Sequence, residues 1–504
     1  MNYHPRLVAS VTPERPALIM ADSGETLTYG ELVLRAHQTA NLFSSLGLTQ
    51  GETIAILIEN SIRCPELMWA AKDSGIRYVV VNTHLNAADT SYLVADSGAK
   101  LLIASPATLG LARAALVDLQ HVALITLGAA HEELLSAQPS TPLIGRHRGP
   151  SMLYSSGTTG RPKGVKTSIE PVSPDTPPRR FAMLQEKYGL GADTVFLNPG
   201  PFYHAGPNRF MMSVLRAGGT VVGFSKFDAG ATLNAIAHYN VTHGFFVPTM
   251  FGRMLALPDE IRASAQLSTM RHAIHAAAPC PIEVKRRMIE WWGTVIDELY
   301  AGTEAFGHTF ISSKEWLEHP GSVGKPAAGC EIRIVGPNGS LCAPGEPGRI
   351  MMSNGLRIEY HGDAAKSALL YDSDGFASLG DIGFLDAEGY LYLTDRESHM
   401  IIVGGVNIYP QEAEAVLERH PAVADVAVIG VPDNDMGESV KAIVELIKPA
   451  KPSEALAEDI IAFCRAELSL HKCPRTVDFV DVLPRNPVGK LNKSDLRARY
   501  RNDG

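Results

Sequence analysis

The sequence lacks the features by which several classes of protein are recognised. Its six cysteines lie far apart with no C-x-x-C pair, which argues against a zinc ribbon and against a disulfide framework. The sequence contains no run of about 18 apolar residues, the length that a membrane-spanning helix needs. Its first residues do not show the basic region followed by an apolar run that is typical of a signal peptide. Its 45 basic residues are outnumbered by 54 acidic ones, whereas a nucleic-acid-binding face needs an excess of Lys and Arg. We therefore expect a cytoplasmic protein that binds no nucleic acid and has no integral membrane segment.

The sequence does contain the alternating pattern of a layered α/β protein. At about 150 residues per folding unit, a chain of 504 residues predicts about three units. Short runs rich in β-branched residues alternate with helical stretches, which indicates buried strands between helices. The strands are expected at Thr53 to Ile58, Tyr78 to Val81, Leu101 to Ala104, Val122 to Leu127, Val195 to Leu197, Thr220 to Phe224, Phe245 to Val247 and Val295 to Leu299.

The pattern changes at about Asp395, where a separate α+β domain of roughly 110 residues is expected to begin. Its helices are predicted over Gln411 to Glu418 and near Leu456 to Leu468, and its strands over Val426 to Val431, Ala442 to Leu446 and Val477 to Val480. The segment from Glu170 to Arg180 is rich in proline, which is excluded from helix interiors and central strands, so it is predicted to be a loop insertion.

The most informative segment follows a strand candidate at Met152 and Leu153. It reads Tyr154-Ser155-Ser156-Gly157-Thr158-Thr159-Gly160-Arg161-Pro162-Lys163-Gly164. Glycines let such a turn bring backbone N–H groups and hydroxyls together around phosphate oxygens, and a lysine follows. The order is not that of a Walker A loop, because Lys163 precedes Gly164 and no Ser or Thr follows. Taken alone, the segment leaves open a phosphate-binding loop and a flexible turn without a ligand.

Five further motifs occur along the chain after this loop. They are Pro201-Phe202-Tyr203-His204, Tyr300-Ala301-Gly302-Thr303-Glu304, Ser378-Leu379-Gly380-Asp381, Asp395-Arg396 leading into Gly404-Gly405-Val406-Asn407-Ile408-Tyr409-Pro410, and Pro484-Arg485-Asn486-Pro487-Val488-Gly489-Lys490. With the loop, and in this order, they resemble the adenylate-forming superfamily in its acyl-CoA synthetase branch. The resemblance extends over essentially the whole chain.

The resemblance implies a fold and an activity. The fold would be α/β, with a large multi-subdomain N-terminal domain at residues 1–394 that binds ATP and the acid. A hinge at 395–399 would connect it to a small, mobile C-terminal α+β domain at 400–504 that carries the adenylation lysine. The activity would be that of an AMP-forming acid–thiol ligase, which uses ATP, Mg²⁺ and coenzyme A.

The resemblance also assigns the nucleotide-binding residues. Thr159 and Glu304 would bind Mg²⁺, a hard cation that prefers oxygen ligands. Asp381 would accept hydrogen bonds from the ribose hydroxyls, since one carboxylate can take two donors, and Arg396 would reinforce it. The other expected nucleotide contacts are Ser155, Ser156, Gly157, Thr158, Gly160, Lys163, Ala277, Ala278, Pro279, Tyr300, Ala301, Gly302 and Thr303.

Two chemical steps need two geometries, which the family achieves by rotating its small domain. Lys490 resembles the lysine that bridges the acid and the α-phosphate, where an ammonium suits the developing negative charge. The pivot falls on Ser398, where relatives usually carry Asp or Lys. After rotation, Gly404 and Gly405 would line a pantetheine tunnel, with His204 as its gate. The expected contacts to the CoA phosphates are Lys472 and Arg475.

The residues carried over to the acyl site are mostly small or apolar. They are His204, Ala205, Gly206, Met211, Met212, Phe246, Val247, His275, Ala276, Ala277, Ala301, Gly302 and Phe306. Ala205 stands where amino-acid-activating relatives place Asp, which disfavours an amino acid. No Arg or Lys is among them, which disfavours malonate-like diacids. We expect an apolar acid, either medium to long chain or bulky and alicyclic (steroid-type), with an aryl acid as the alternative.

Two other functions are compatible with parts of this pattern. Transfer of the acyl group to a carrier protein or to another acceptor shares every adenylation motif. A non-catalytic scaffold is disfavoured because Glu304, Asp381, Arg396 and Lys490 are all present. The expected partners are therefore a small carboxylic acid, ATP and CoA, and a homodimer remains an open possibility for the assembly.

Overall fold

The computed structural model describes residues 3–155, 163–167, 170–361, 367, 370–403, 406–433, 436–485, 491 and 493–501. The helices are α1 Pro5–Ala9, α2 Tyr29–Ser45, α3 Arg63–Ser74, α4 Ala87–Asp96, α5 Leu109–Ala115, α6 Ala129–Ser136, α7 Arg179–Tyr188, α8 Ala205–Ala217, α9 Ala229–His238, α10 Pro248–Leu255, α11 Asp259–Ser264, α12 Ile282–Trp292, α13 Ser313–Glu318, α14 Pro410–Leu417, α15 Glu454–Arg465 and α16 Lys493–Arg501, with 3₁₀ turns at Glu397–His399 and Leu470–Lys472.

The strands of the first half of the chain are β1 Pro16–Met20, β2 Thr26–Thr28, β3 Thr53–Leu57, β4 Arg77–Val80, β5 Ala99–Ala104, β6 Ala123–Thr126, β7 Leu153–Ser155, β8 Lys163–Lys166, β9 Val195–Asn198, β10 Thr220–Gly223 and β11 His243–Phe246. Those of the second half are β12 His272–His275, β13 Ile296–Ala301, β14 His308–Ile311, β15 Ser322–Pro326, β16 Glu331–Val335, β17 Gly348–Ser353, β18 Glu359–Tyr360, β19 Asp381–Leu385, β20 Leu391–Arg396, β21 Ile401–Val403, β22 Val406–Ile408, β23 Val423–Asp433, β24 Gly437–Leu446 and β25 Thr476–Val480.

Each predicted strand and helix is confirmed, with its ends shifted by one or a few residues. The prediction of a loop to Arg180 was wrong at its end, because α7 begins at Arg179. Pro178 has φ −70° and ψ 151° and stands directly before the helix. Its extended backbone is typical of the residue that precedes a helix, so helix formation can start at the next position.

Thirteen of the described strands join in one sheet, in the order β16-β17-β19-β20-β15-β14-β13-β12-β11-β9-β10-β1-β2. The strands from β13 through β12, β11, β9 and β10 to β1 are parallel, and β13 to β20 continue antiparallel. The two faces of the parallel part carry different helices. Phe245 packs on Phe210 of α8, whereas its neighbour Phe246 packs on Phe251 of α10 and Trp292 of α12.

Two smaller sheets complete the N-terminal part. Strands β4-β3-β5-β6 form a parallel sheet, and β18-β8-β7 form an antiparallel one. One buried core runs through α2, α3, β3 and the parallel strands of the large sheet, and includes Tyr29, Trp69, Ile54 and Phe196. This shared core fixes the smaller parallel sheet against the larger one.

The C-terminal part has a sheet and a core of its own. Strands β22-β21-β24-β23 form the sheet, and β25 adds to β24 in parallel. Val428, Ala442, Leu417 and Ile460 are buried in one apolar cluster that joins this sheet to α14 and α15. A separate core is what an independent folding unit requires.

Two further features of the described structure concern membrane-spanning helices and cysteine pairing. Within the described ranges, none of the helices has both the length and the hydropathy that crossing a bilayer requires. All six cysteines are unpaired. No disulfide therefore contributes to stability.

A tight crossing of β14 and β15 depends on Gly324. This residue has φ +96°, and a Cβ there would lie 2.0 Å from the Phe310 carbonyl oxygen. We expect Gly324→Ala to destabilise the protein by about 2 to 4 kcal/mol, because the conformation is strained and backbone must shift. Gly339→Ala is the matched control, since Gly339 also has a positive φ but faces open space. It should cost about 1 kcal/mol. Equal unfolding midpoints for the two variants would contradict this interpretation.

Candidate active site

Three of the sequence motifs meet at one end of the large sheet. Asp381 begins β19 and lies directly opposite Arg396, which ends β20. The Tyr300 hydroxyl donates to Oδ2 of Asp381 at 2.6 Å, and Nε of Arg396 lies 2.9 Å from Oδ1. Asp381 is 6% exposed. Each of its oxygens keeps a lone pair, so the carboxylate can accept a pair of further donors such as a vicinal diol.

Gly302 joins the Tyr300 motif to the Asp381 motif. A Cβ at this position would lie 2.4 Å from the Leu379 side chain and 3.0 Å from Oε2 of Glu304. Glycine therefore lets the turn after β13 pack closely against the Leu379 side chain in the loop before β19. This contact keeps Glu304 on the same side of the site as Asp381.

Glu304 has a neighbour that sequence reasoning missed. The Tyr360 hydroxyl donates to Oε1 of Glu304 at 3.3 Å, and Lys163 Nζ lies 5.1 Å from the centre of the Tyr360 ring. Burial and the Glu304 carboxylate both raise the pKa of Tyr360, so the hydroxyl keeps its proton and stays a donor. The pairing of β18 with β8 brings these residues together. No local pattern around Tyr360 could have revealed a pairing so distant in sequence.

The donor set around Glu304 fits Mg²⁺. In the part of the chain that the structure describes, no group of three or more His, Cys, Asp and Glu residues could form a metal cage. Magnesium does not need one, because it keeps several waters and binds through one or two carboxylates together with substrate phosphates. Glu304 supplies one such carboxylate beside the Asp381 cluster.

Two alanines near the site have left-handed backbone. Ala277 has φ +77° and Ala305 has φ +56°. Such conformations are uncommon for residues with a Cβ and cost about 1 kcal/mol or more each. Ala277 lies in the expected nucleotide segment and Ala305 follows Glu304 directly. The fold therefore maintains backbone strain next to Glu304 and in the expected nucleotide segment.

The expected acyl-lining residues do not share one surface. Helix α8 begins directly after His204, and it carries Ala205, Gly206, Met211 and Met212. Gly206 faces Phe245, whose ring would be 2.4 Å from a Cβ there. Gly206 thus allows close packing rather than lining open space, and the two methionines are buried. Of the remaining expected lining residues, Val247 is buried and Ala276 is partly buried.

Phe246 and His275 lie on the opposite face of the sheet from α8. The His275 ring is 5.5 Å from that of Phe251 on α10, and Phe246 packs against Phe251 as well. Phe306 belongs to a third cluster, which contains Met352 and packs against Tyr371. Phe246 and His275 therefore do not face α8. The period of two along a strand accounts for this arrangement, because neighbouring positions face opposite sides.

His275 belongs instead to a buried charged group under α12. Lys285 Nζ donates to Oε2 of Glu298 at 2.5 Å, and Nε2 of His275 lies 3.5 Å from the same oxygen. Lys285 and His275 are fully buried and Glu298 nearly so. Burial, and then Lys285, hold the pKa of His275 well below its usual value, so the imidazole is neutral. This group anchors α12 to β13.

A second missed residue is Arg209 on α8. Its Nη2 donates to the Thr303 carbonyl at 2.7 Å, directly before Glu304 in the chain. Residues three and four apart on a helix share a face. Arg209 is four residues after Ala205 and three after Gly206, so this spacing could have revealed it.

The remaining expectations concern the hinge and the small domain. Lys472 Nζ lies 2.5 Å from Oε2 of Glu412, and Arg475 Nη1 lies 3.2 Å from Oδ2 of Asp433. Ser155 ends β7, and Ser398 lies within the 3₁₀ turn. The expected roles of Ser156, Gly157, Thr158, Thr159, Gly160, Gly404, Gly405 and Lys490 fall outside the described residues.

Comparison with protein-family models identifies the chain. The model of the AMP-binding enzymes matches residues 6–356, and that of the AMP-binding enzyme C-terminal domain matches residues 412–490. The chain belongs to the AMP-binding enzyme family. The first match contains Tyr300, Thr303 and Glu304, and the second ends at Lys490.

Individual relatives of this AMP-binding enzyme match over almost its whole length. A feruloyl-CoA synthase of Amycolatopsis is 32% identical, with 96% of each chain covered. A 2-succinylbenzoate–CoA ligase of Bacillus licheniformis is 33% identical, with 97% of this chain and 98% of the relative covered. The crystal structure of ATP-bound MatB from Rhodopseudomonas palustris is 28% identical, covers 100% of both chains and has a TM-score of 0.87.

The buried pair under α12 is open to a stability test. We expect Lys285→Met to cost about 3 to 5 kcal/mol at neutral pH, because Glu298 is then left buried and unpaired. The double variant Lys285→Met/Glu298→Gln should recover most of this loss, since it removes the second charge as well. Chemical denaturation of the single and double variants measures both effects. A double variant no more stable than Lys285→Met would show that the pair has no such role.

Proposed function

We propose that this AMP-binding enzyme is an ATP-dependent acyl-CoA synthetase. It activates a carboxylic acid as the acyl-adenylate with release of pyrophosphate and then transfers the acyl group to CoA. The observation that carries the proposal is the convergence of Tyr300, Asp381 and Arg396 beside Glu304. Each oxygen of the Asp381 carboxylate has one protein partner and can still accept a further hydrogen bond, which suits the two hydroxyls of a ribose. The neighbouring carboxylate of Glu304 suits the metal ion that accompanies a triphosphate.

The nucleotide is held by residues with distinct tasks. Asp381 accepts the ribose hydroxyls, while Tyr300 and Arg396 fix its orientation. Glu304 and Thr159 would hold Mg²⁺, which would supply charge neutralisation for the phosphates. Lys163 follows the phosphate loop and lies over Tyr360, whose hydroxyl in turn orients Glu304. Loop amides and hydroxyls from Ser155 to Gly160 cover the outer phosphates.

In the first step, a carboxylate oxygen of the acid bonds to the α-phosphorus while the bond to pyrophosphate breaks. Negative charge develops on the equatorial oxygens and on the leaving group. Lys490 stabilises it as a compact positive charge between the acid and the α-phosphate. In the second step, the CoA thiolate attacks the acyl carbonyl and AMP leaves. The thiol proton goes to solvent.

The second step needs a different arrangement of the small domain. We place the pivot at Ser398, in the short 3₁₀ turn that follows β20. Gly404 and Gly405 then line the path of the pantetheine, and His204 gates it from the start of α8. Lys472 and Arg475 now pair with Glu412 and Asp433. CoA phosphates would compete with those carboxylates for the two cations.

The acid is proposed to have an apolar body. Met211, Met212 and Phe245 supply apolar surface at α8 and at the facing sheet, and methionine adapts to irregular shapes. The relatives are named for aromatic acids of different structure, so similarity alone does not select one. We propose an acid of medium or larger size, aliphatic, alicyclic or aryl. The six unpaired cysteines fit its use in the cytoplasm.

The activity is tested by pyrophosphate and AMP release with ATP, Mg²⁺ and a panel of fatty, aryl and steroid acids, each with and without CoA. We expect turnover to require both an acid and CoA, with acyl-CoA as the product. If pyrophosphate release depends on the acid but is not changed by CoA, the acyl group is transferred to an acceptor other than CoA. The absence of acid-dependent release across the panel would contradict the proposal.

Lys490→Ala separates the two steps. We expect adenylation to fall by about a hundredfold or more, because charge stabilisation at the α-phosphate is lost. Thioester formation from supplied acyl-adenylate and CoA should stay within a few-fold of the wild type. Lys493→Ala is not a suitable control, because Lys493 pairs with Glu414; the exposed Lys451 is preferable. Equal loss of both half-reactions would contradict the assignment of Lys490 to adenylation.

A further inference from the structure

Two arginines and a histidine approach one another on the α8 side of the candidate site. Tyr188 of α7 packs its ring against Phe210 of α8 at 6.0 Å and against Phe310 of β14 at 5.9 Å. Helix α7 therefore lies over both elements. Arg180 lies in the first turn of the same helix, and it is close enough to Arg209 and to His308 to disfavour positive charge on each of them.

The neighbouring residues on the other two elements are also basic. Arg209 directly precedes Phe210 on α8, and His308 lies two residues before Phe310 on β14. Residues two apart on a strand share a face, and the rings of His308 and Phe310 are 5.3 Å apart. His308 also lies opposite Ala301 in the pairing of β14 with β13. Arg209, which binds the Thr303 carbonyl, thus reaches the same turn.

Arg209 and His308 each have a ring or guanidinium nitrogen without a hydrogen-bond partner among the described residues. These nitrogens are Nε of Arg209 and Nε2 of His308, and both are shielded from solvent. In the same described ranges, no carboxylate lies within ion-pair distance of Arg180 or Arg209. Arg35 shows the contrast, since it is held by both Glu66 and Glu132. An unpaired cation in a partly buried site is costly unless a ligand supplies the counter-charge.

The electrostatics agree with this geometry. Burial, and then the charge of Arg180, hold the pKa of Arg209 well below its ordinary value. The Glu304 carboxylate raises this pKa, but by less than burial and Arg180 lower it. Burial and Arg180 also lower the pKa of His308 to about 4. His308 is therefore neutral and can donate one hydrogen bond, while both arginines remain charged at neutral pH.

We propose that Arg180, Arg209 and His308 form a subsite for a second carboxylate on the acid substrate. The proposal rests on the proposed function and narrows its substrate class to dicarboxylic acids with an apolar body. Planar guanidinium groups bind carboxylates through paired hydrogen bonds. Arg209 contacts the Thr303 carbonyl from α8, whereas the nucleotide is proposed to bind at Tyr300 and Asp381. This changes the expectation from sequence, which found no basic residue among the acyl-lining positions.

The first experiment needs no variant. Straight-chain and aryl dicarboxylic acids are compared with their monomethyl esters, which keep the reacting carboxylate and the apolar body but lose the second charge. We expect kcat/KM for pyrophosphate release to be at least about 30-fold higher for a diacid of suitable length than for its ester. Esters that react as well as their diacids at every length would overturn the proposal.

The second experiment uses Arg209→Met and Arg180→Met, which remove charge while keeping an apolar stem. Each should reduce the diacid-to-ester ratio towards one. For Arg180→Met, the KM of ATP and the kcat/KM of the ester should also stay within about threefold of the wild-type values, whereas Arg209→Met additionally removes the hydrogen bond to the Thr303 carbonyl. Arg179→Met is the matched control, because Arg179 is the exposed neighbour on α7, and it should leave the ratio unchanged. A rise in the KM of ATP with an unchanged ratio would instead assign the arginines to the nucleotide phosphates and overturn the proposal.

The two proposals fail differently. Pyrophosphate release with monoacids but with no preference for any diacid overturns the subsite and leaves the acyl-CoA synthetase intact. The absence of acid-dependent release with all acids overturns the synthetase itself. Circular dichroism of the variants separates loss of folding from loss of binding, and the wild-type comparison holds in either case.

Discussion

The candidate site depends above all on one buried carboxylate. Asp381 receives a hydroxyl from β13 and a guanidinium from β20 while it begins β19 itself. Strand β13 lies far from β19 and β20 in the chain, and the large sheet brings the ends of the three strands together. Asp381 is only 6% exposed, so Tyr300 and Arg396 are the partners that fix the direction of its carboxylate. Removal of either partner would change the direction of the remaining lone pairs.

Two groups of buried or partly buried charges differ in whether a carboxylate of the described chain pairs with the cation. On the α12 face, Lys285 and Glu298 neutralise each other, and His275 beside them stays uncharged. On the α8 face, Arg180 and Arg209 have no carboxylate of the described chain within ion-pair distance. The first arrangement is complete without a ligand and fixes a helix to a strand. The second is incomplete without one, which is the physical difference between an anchor and a binding site.

The sequence predicted the fold class and the positions of strands and helices along the chain, which followed from hydrophobic alternation. The resemblance of its motifs to a known family predicted that Tyr300, Asp381 and Arg396 serve one site, and the structure brings these three residues together. The sequence did not predict Tyr360, Arg209 or the separation of Phe246 and His275 from α8. The pairing of β18 with β8 positions Tyr360, and its contact with Glu304 is likewise a tertiary property. A strand turns successive side chains to opposite faces, which a residue-by-residue resemblance does not show.

Two adjacent residues at the end of β20 contact both parts of the chain. Arg396 points to Asp381, whereas the Asp395 carboxylate accepts the backbone N–H of Gln411 at 2.9 Å. Gln411 lies in the first turn of α14, whose unpaired N–H groups and dipole favour an acceptor there. The two side chains therefore contact Asp381 on one side and the C-terminal part on the other. The proposed rotation, if it begins after Arg396, would strain or exchange the Asp395 contact while the Asp381 contact remains. The end of β20 is therefore where the proposed rotation would leave the partners of Asp381 undisturbed.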